Sequence, residues 1–302
     1  MKRFRQSVLP MGLASKLAQV LGSMSTLIYG LMLKLMLGLT LPLAAVSGHA
    51  APGGLPSAAH ADSSPEWEAL RGKLFGSRRI ATSAEASQVR ISAPLRAAYG
   101  ASVPVTIVSK QPQTAALWVK RLYVLVDKNP SPVAAVISLT QALGQADFET
   151  RLRVDEYSHV RVVAEMSDGA LHMDSRYVKT SGGCSAPPNR DTLHLIGKTV
   201  FKLPDGVRPN APTLADVTVI HPNDTGFELN QQTVMFIPSH FVRSIKVSYA
   251  DQSLFDAELD FSLSENPTLR FYFVPRGAGM LKAEVDDSKE AHFTGSLAVV
   301  VD

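Results

Sequence analysis

The chain has 302 residues, of which 45% are hydrophobic and 19% are charged. This composition excludes a disordered polymer, a collagen and a coiled coil, and the length suits two domains or one large domain. The formal net charge is +3, but residues 1–61 hold five Lys or Arg and no Asp or Glu, so the remainder has 25 basic and 27 acidic residues, a net charge of −2. The charge therefore gives no support for nucleic-acid binding.

Residues 1–61 are typical of a signal peptide followed by a disordered leader. A basic start precedes apolar runs at 17–33 and 35–46, and the second run is too short to cross a bilayer. Small residues follow, and we expect cleavage after Ala50 or Ala61. The alternative is a retained membrane anchor that uses both runs, although Lys34 separates them. We therefore expect a periplasmic protein without a membrane attachment after cleavage.

A short helix is predicted over residues 65–75, after which the pattern changes to β-strands. In the segment 148–154 the apolar side chains of Phe148, Leu152 and Val154 fall on one face, and charged side chains fall on the other. Polar turns separate these short segments, which is typical of an antiparallel β-sandwich. The strands predicted in this half span residues 103–108, 119–126, 133–139, 148–154, 160–165 and 177–178.

The composition changes over residues 180–189, TSGGCSAPPN. Small residues, glycines and prolines cannot build a core, so we predict a flexible linker over 181–191, between one domain at 62–180 and another at 192–302. The predicted fold class is all-β, with two immunoglobulin-like β-sandwich domains joined by a Gly-Cys linker and preceded by a cleavable signal peptide. The second-half strands are predicted over 216–220, 241–249, 257–263, 268–274, 280–285 and 296–301.

Cys184 is the only cysteine, which excludes an internal disulfide. Free cysteines are most often small buried hydrophobes, but this segment has no apolar neighbours at strand or helix spacing. Gly182 and Gly183 give the backbone freedom before the thiol and leave room for its entry into another protein's cleft. We interpret the segment as a flexible arm that carries Cys184, with a buried structural cysteine as the alternative.

Other patterns are weaker. None of the histidines outside the leader shows metal-ligand spacing, so no metal site is expected. No nucleophile elbow, P-loop or dinucleotide-binding motif is present, and a mobile arm disfavours a Cys–His catalytic pair. The sequence therefore predicts no catalytic residue and no cofactor. The histidines considered are His159, His172, His194, His221, His240 and His292.

Several motifs resemble two families of sulfur-oxidation proteins, SoxY and SoxZ, joined in one chain. The motifs similar to SoxY are Trp67, Leu74-Phe75-Gly76, Pro94, Val103-Pro104-Val105, Asp127-Lys128-Asn129-Pro130 and Gly182-Gly183-Cys184. The motifs similar to SoxZ are His221-Pro222 with Thr225-Gly226, Ile237-Pro238-Ser239-His240-Phe241, Ser264-Glu265-Asn266-Pro267 and Phe271-Tyr272-Phe273. The pattern as a whole resembles the fused SoxYZ-like carriers associated with quinoprotein dehydrogenases.

The resemblance implies a periplasmic covalent carrier that is not an enzyme. Cys184 would hold a sulfur-oxidation intermediate of thiosulfate or sulfane type, and Gly182 and Gly183 would make the arm flexible. The implied partners are periplasmic sulfur-oxidation enzymes of the c-type cytochrome and hydrolase types, or a quinoprotein dehydrogenase. SoxY ends in a free glycine-flanked cysteine, whereas Ser185 and the second domain follow here, so the arm is tethered at both ends.

Two other readings stay open. In the first, the chain is an adaptor for a periplasmic quinoprotein (PQQ) dehydrogenase and carries no covalent cargo. In the second, it is a thiol-dependent enzyme such as a peroxidase, which requires a thiol with a lowered pKa. A Cys184→Ser variant distinguishes the carrier from the adaptor, because only the carrier needs the thiol.

Overall fold

Two β-sheets face each other across a shared apolar core. The computed structural model describes residues 63–301, which all belong to one compact unit. The predicted signal peptide and leader lie outside the described residues. The strands are β1 (Ile80–Ala81), β2 (Val89–Ser92), β3 (Val103–Ser109), β4 (Val119–Val126), β5 (Val133–Leu139), β6 (Phe148–Leu152), β7 (Ser158–Met166), β8 (Leu171–Val178), β9 (Thr199–Lys202), β10 (Thr213–Val219), β11 (Leu229–Asn230), β12 (Met235–Phe236), β13 (Val242–Tyr249), β14 (Gln252–Leu259), β15 (Thr268–Phe273), β16 (Gly279–Asp287) and β17 (His292–Val299).

The first sheet has nine strands in the order β1-β8-β7-β4-β5-β14-β13-β16-β17. The second has six strands in the order β2-β3-β6-β15-β10-β9, and β11 and β12 form a separate hairpin. Short 3₁₀ turns lie at Ser83–Glu85, Gln141–Leu143 and Leu193–Leu195. The all-β prediction is confirmed, and alternating burial along β2, β3 and β10 shows why: one face of each strand packs into the core.

Each half of the chain contributes strands to both sheets. In the first sheet β5 pairs with β14, and in the second β6 pairs with β15, so the halves join edge to edge. One hydrophobic cluster draws on both halves, and the rings of Phe148 and Phe255 meet in it at a centroid distance of 5.3 Å. The two predicted sandwiches therefore share a continuous core.

The predicted helix is present as α1 (Pro65–Phe75). Ser64 caps it by accepting a hydrogen bond from the Trp67 backbone N–H, Pro65 occupies the first turn, and Gly76 ends it at a φ of +60°. Its buried face, which includes Trp67, packs on the first sheet. In the described part of the chain, no helix is long and apolar enough to cross a membrane.

The loops that follow β4, β6 and β14 meet at one place. The Asn129 side-chain amide donates to the Arg153 carbonyl at 2.8 Å and to the Ser262 hydroxyl at 3.0 Å, and its oxygen accepts from the Asp155 N–H at 3.0 Å. The segment that follows β8 packs against the same loops through Asp155. This junction between the two halves holds Cys184.

Candidate functional site around Cys184

Cys184 is buried, with 1% of its surface exposed. Its N–H donates to Asp155 Oδ1 at 3.0 Å, and its carbonyl accepts a hydrogen bond from the Thr225 hydroxyl. Asp155 belongs to the first half and Thr225 to the second, so both halves hold the cysteine. The segment predicted to be a flexible arm is thus packed in the structure. Hydrogen bonds to its backbone hold it in place, although it lacks the apolar neighbours in sequence that usually accompany burial.

The two glycines before the thiol also pack closely. Gly182 adopts a φ of +71° and its N–H donates to the Asp155 carbonyl at 2.8 Å. A Cβ atom at Gly183 would lie 2.4 Å from the carbonyl oxygens of both Gly100 and Val154. The sequence predicts that these glycines supply flexibility, but in this closed arrangement Gly183 is required for close backbone approach.

Arg153 lies beneath the Cys184 segment and is 1% exposed. Its Nη1 donates to the carbonyls of Gly183 at 2.9 Å and Ala186 at 3.1 Å, and its Nη2 donates to the Asn223 carbonyl at 3.4 Å. Its Nε has no hydrogen-bond partner among the described residues. Arg153 therefore connects the segment on both sides of Cys184 to the second half of the chain.

Two buried carboxyl groups lie beside Arg153. Glu228 Oε1 is 3.9 Å from Arg153 Nη2, and Glu228 Oε2 is 3.4 Å from Nη2 of the half-exposed Arg190. Arg190 also binds Asp224, at 2.6 and 3.0 Å. Burial, and after it a hydrogen bond to Asp224, raise the pKa of Glu228 to about 7. Near neutral pH this cluster therefore takes up and releases a proton.

The surroundings of the thiol keep it protonated. Burial, then the negative charge of Asp155, and more weakly Asp260 and Glu228, together raise the pKa of Cys184 to about 12. Arg153 acts in the opposite direction but does not prevail. Because the thiolate is the reactive form, Cys184 in this arrangement is not an activated nucleophile.

The fold also gathers His221, His240 and Asp287, which the sequence spacing did not indicate. His240 Nε2 lies 2.7 Å from Asp287 Oδ2, and His221 Nε2 lies 3.7 Å from the same oxygen. His221 Nδ1 accepts the N–H of Asn223 at 3.1 Å, so the neutral ring carries its hydrogen on Nε2. Burial and then the nearby His240 lower the pKa of His221 to about 4. In this tautomer the Nε2–H faces Asp287 at a distance too long for a hydrogen bond, and Nε2 has no hydrogen-bond partner among the described residues.

A short hairpin, β11 and β12, extends from the Asp224 and Glu228 cluster. Its apolar side chains are exposed, namely Phe227, Leu229, Val234, Met235 and Phe236. Glu228, between two of them, is buried, so the alternation along this segment is the reverse of a strand with an apolar inner face.

Sequence reasoning found Cys184, Gly182 and Gly183 but none of the groups that hold them. Arg153 belongs to the charged face of the predicted strand. Thr225 belongs to a motif similar to SoxZ that assigns it no chemistry, and Asp155, Asp224 and Glu228 carry no motif of their own. The one local signal in the sequence is an acidic residue, Glu228, between the apolar Phe227 and Leu229. In the structure Glu228 is buried and these two neighbours are exposed, which reverses the usual burial pattern.

Comparison with solved structures gives partial matches. The sulfur carrier protein SoxY from Chlorobium limicola f thiosulfatophilum is 24% identical, with a TM-score of 0.31, over 38% of this chain and 91% of that chain. A superoxide reductase (neelaredoxin) from Ignicoccus hospitalis is 15% identical, with a TM-score of 0.30, over 33% of this chain and 94% of that chain. No curated protein matches the chain.

Two family models match, one in each half. The model of the sulfur oxidation protein SoxY matches residues 71–184, and that of the sulphur oxidation protein SoxZ matches residues 201–298. Together they cover about 70% of the chain. The SoxY match ends at Cys184, and the SoxZ match contains Thr225 and Glu228. The chain is therefore a sulfur-oxidation protein that belongs to both families, as a SoxY domain and a SoxZ domain fused in one polypeptide.

Proposed function

We propose that this protein is a periplasmic covalent carrier that holds a sulfur-oxidation intermediate on Cys184 and presents it to partner enzymes. The observation that carries the proposal is the position of Cys184, the only cysteine, at the last residue of the SoxY match and at the junction with the SoxZ half. A tethered thiol at that position is suited to carry a group between proteins.

The environment of the thiol supports a carrier more than an enzyme. A catalytic cysteine is activated by a lowered pKa, usually beside a base or a cation. Burial and Asp155 instead raise the pKa of Cys184 to about 12. We infer that the chemistry is supplied by the partners and that this chain supplies the attachment point.

Loading with thiosulfate is an oxidation. The Cys184 S–H bond breaks, an S–S bond forms to the terminal sulfur of thiosulfate, and one proton and two electrons leave, the electrons to a c-type haem protein. Hydrolysis by a second partner adds one water, breaks the bond between the sulfane sulfur and the sulfonate, and leaves Cys184 persulfide, sulfate and one proton. After both steps the sulfane sulfur remains covalently bound to the sulfur of Cys184.

The test is the intact mass of the protein purified from its native cells, before and after reduction. The expected result is a reducible increment on Cys184, which for the first intermediate has the composition S₂O₃ in the neutral mass, because the S–S bond replaces the thiol hydrogen and the sulfonate carries one proton. A Cys184→Ser chain purified in parallel is expected to show none. A bare thiol in cells that are oxidising thiosulfate would contradict the carrier proposal.

The burial of Cys184 favours one second candidate, an adaptor that docks on a periplasmic quinoprotein dehydrogenase without using the thiol. The Cys184→Ser variant separates the two. An adaptor keeps full pathway activity in cells that express only this variant, whereas a carrier loses it.

A further inference from the structure

The hydrogen bonds around Cys184 form a closed set that spans both halves of the chain. Asp155 holds the N–H of Cys184, Thr225 holds its carbonyl, and Arg153 holds the carbonyls on either side of it. We call Arg153, Asp155 and Thr225 the clasp. The clasp binds backbone atoms, so it fixes where the segment lies through its main chain.

The clasp is supported from below by the charged cluster of the second half. Arg153 donates a hydrogen bond to the Asn223 carbonyl and forms an ion pair with Glu228. Glu228 and Asp224 both form ion pairs with Arg190. Thr225 lies between Asp224 and Glu228 in the chain. A movement of this segment therefore alters the clasp through Thr225 and through the ion pair of Arg153 at once.

The closed clasp is incompatible with exchange of cargo. Cys184 is 1% exposed, so the active site of a partner has no access to its sulfur. Gly183 lies against backbone, where even a Cβ atom has no room, so the segment has no space to yield inward. Access to the sulfur requires the segment to leave the clasp and move outward.

We propose that the clasp is a gate that controls access to Cys184, closed over the bare thiol and opened when the segment between Gly182 and Ala186 is released. This inference deepens the proposed carrier function by naming the regulation of the same site. The charges favour opening in the loaded state, because an anionic cargo would lie among Asp155, Asp260 and Glu228, whose combined effect on the sulfur exceeds the opposing effect of Arg153.

The first test measures the rate at which iodoacetamide alkylates Cys184, by intact mass at a fixed pH. The folded wild-type chain is expected to react at least about tenfold more slowly than the same chain unfolded in urea, because the buried thiol reacts only through the open state. Thr225→Val removes the hydrogen bond that the hydroxyl donates to the Cys184 carbonyl, together with the one it accepts from the Phe227 N–H, and is expected to raise the rate about 3- to 10-fold. Thr294→Val, at an exposed position of β17, is the matched control and is expected to keep the wild-type rate.

A second pair of variants keeps the test decisive if Thr225→Val does not fold. Asp155→Ala removes the acceptor of the Cys184 N–H, whereas Asp155→Asn removes the charge but keeps an oxygen acceptor. The Ala variant is expected to react faster than the Asn variant, since both lose the charge and only one loses the hydrogen bond. A wild-type rate equal to that of the unfolded chain, or equal rates for these two variants, would overturn the clasp.

The effect of cargo charge is tested with two disulfide adducts of nearly equal size. The sulfonatoethyl and trimethylammonioethyl methanethiosulfonates each convert the Cys184 thiol into a mixed disulfide and release methanesulfinic acid. Hydrogen exchange then reports on the N–H groups of Gly182, Gly183 and Cys184, which are hydrogen-bonded in the closed state. The anionic adduct is expected to exchange at least about tenfold faster than the cationic adduct.

The results separate this inference from the proposed function. Slow alkylation with no native adduct in cells would refute the carrier and leave the clasp standing. Unprotected N–H groups in the bare-thiol protein would overturn the clasp whatever the cargo. Equal exchange in the two adducts would overturn the part of the proposal that assigns opening to cargo charge.

Discussion

Replacing the buried Glu228 by Gln is expected to change how the stability of the protein depends on pH. Burial and the hydrogen bond to Asp224 raise the pKa of Glu228 from 4.5 to about 7 in the folded chain. The folded state therefore binds the proton of Glu228 more tightly than the unfolded state does. Gln is neutral at every pH and retains an N–H that can donate to Asp224 in place of the shared proton.

The sign follows from linkage. Because the folded pKa lies above the unfolded pKa, Glu228 stabilises the folded state fully below pH 4.5, and this contribution is lost as the pH rises through about 7. At about 1.4 kcal/mol for each pKa unit, the loss is on the order of 3 kcal/mol. This loss of unfolding free energy occurs in the wild-type protein and is absent in Glu228→Gln.

The assay is urea unfolding of both proteins at a series of pH values from 4 to 9. The free energy of unfolding of the wild type, minus that of Glu228→Gln, isolates this group from all others that titrate in both chains. The difference is expected to fall by roughly 3 kcal/mol from the acidic to the alkaline end of the series. Glu284→Gln, at an exposed position of β16, serves as the control for replacing a glutamate by glutamine.

A difference that stays constant with pH, or that rises with pH, would refute the reasoning. A constant difference would mean that Glu228 has the same proton affinity in both states, and therefore that water reaches the carboxyl group. A rising difference would mean that Arg153 and Arg190 outweigh the cost of burial and lower the pKa.

Gly183→Ala places a Cβ atom against backbone and is expected to lower the unfolding free energy by about 1–3 kcal/mol in urea, whereas Gly277→Ala, with nothing within 4 Å, is expected to match wild type. Equal midpoints for these two variants would contradict the close packing. Val234 holds a φ of +55°, which a β-branched residue adopts at a cost, so Val234→Gly is expected to stabilise the protein by about 1 kcal/mol in thermal unfolding; a lower melting temperature would argue against this strain. Asp127→Asn removes the carboxylate that binds the buried Arg161 at 2.7 and 2.8 Å and is expected to cost about 3–5 kcal/mol, and a cost below 1 kcal/mol in the same urea assay would count against a buried charge pair.

The sequence predicted most of the fold because its signals are local. The helix Pro65–Phe75 and the strands Val119–Val126 and Val133–Leu139 have the predicted bounds, since a capping serine, a proline and runs of β-branched residues lie in the segments themselves. Strands β1, β2, β9, β11 and β12 are not among the predicted strands. Each has two or four residues, and so short a segment shows little or no periodicity.

The surroundings of the thiol were not predictable, because their cause is not local. Alternation placed Arg153 with the charged face of a strand, but β6 ends at Leu152 and Arg153 is covered by residues 183–186 and by Asn223. The polar, glycine-rich composition of the segment predicts mobility, because polar residues are usually exposed. In the structure the segment is buried, because its backbone groups have hydrogen-bond partners. Those partners lie up to 41 residues away in the chain, as for Thr225 and Cys184.

The pairing of β5 with β14 and of β6 with β15 has a consequence for how this protein behaves on dilution. Two separate polypeptides joined through such strand edges would dissociate as their concentration falls. Here the covalent connection makes the association intramolecular, so its equilibrium does not depend on protein concentration. The SoxY and SoxZ halves are therefore present in a fixed ratio of one to one, and the assembly that surrounds the thiol remains complete even in a dilute compartment.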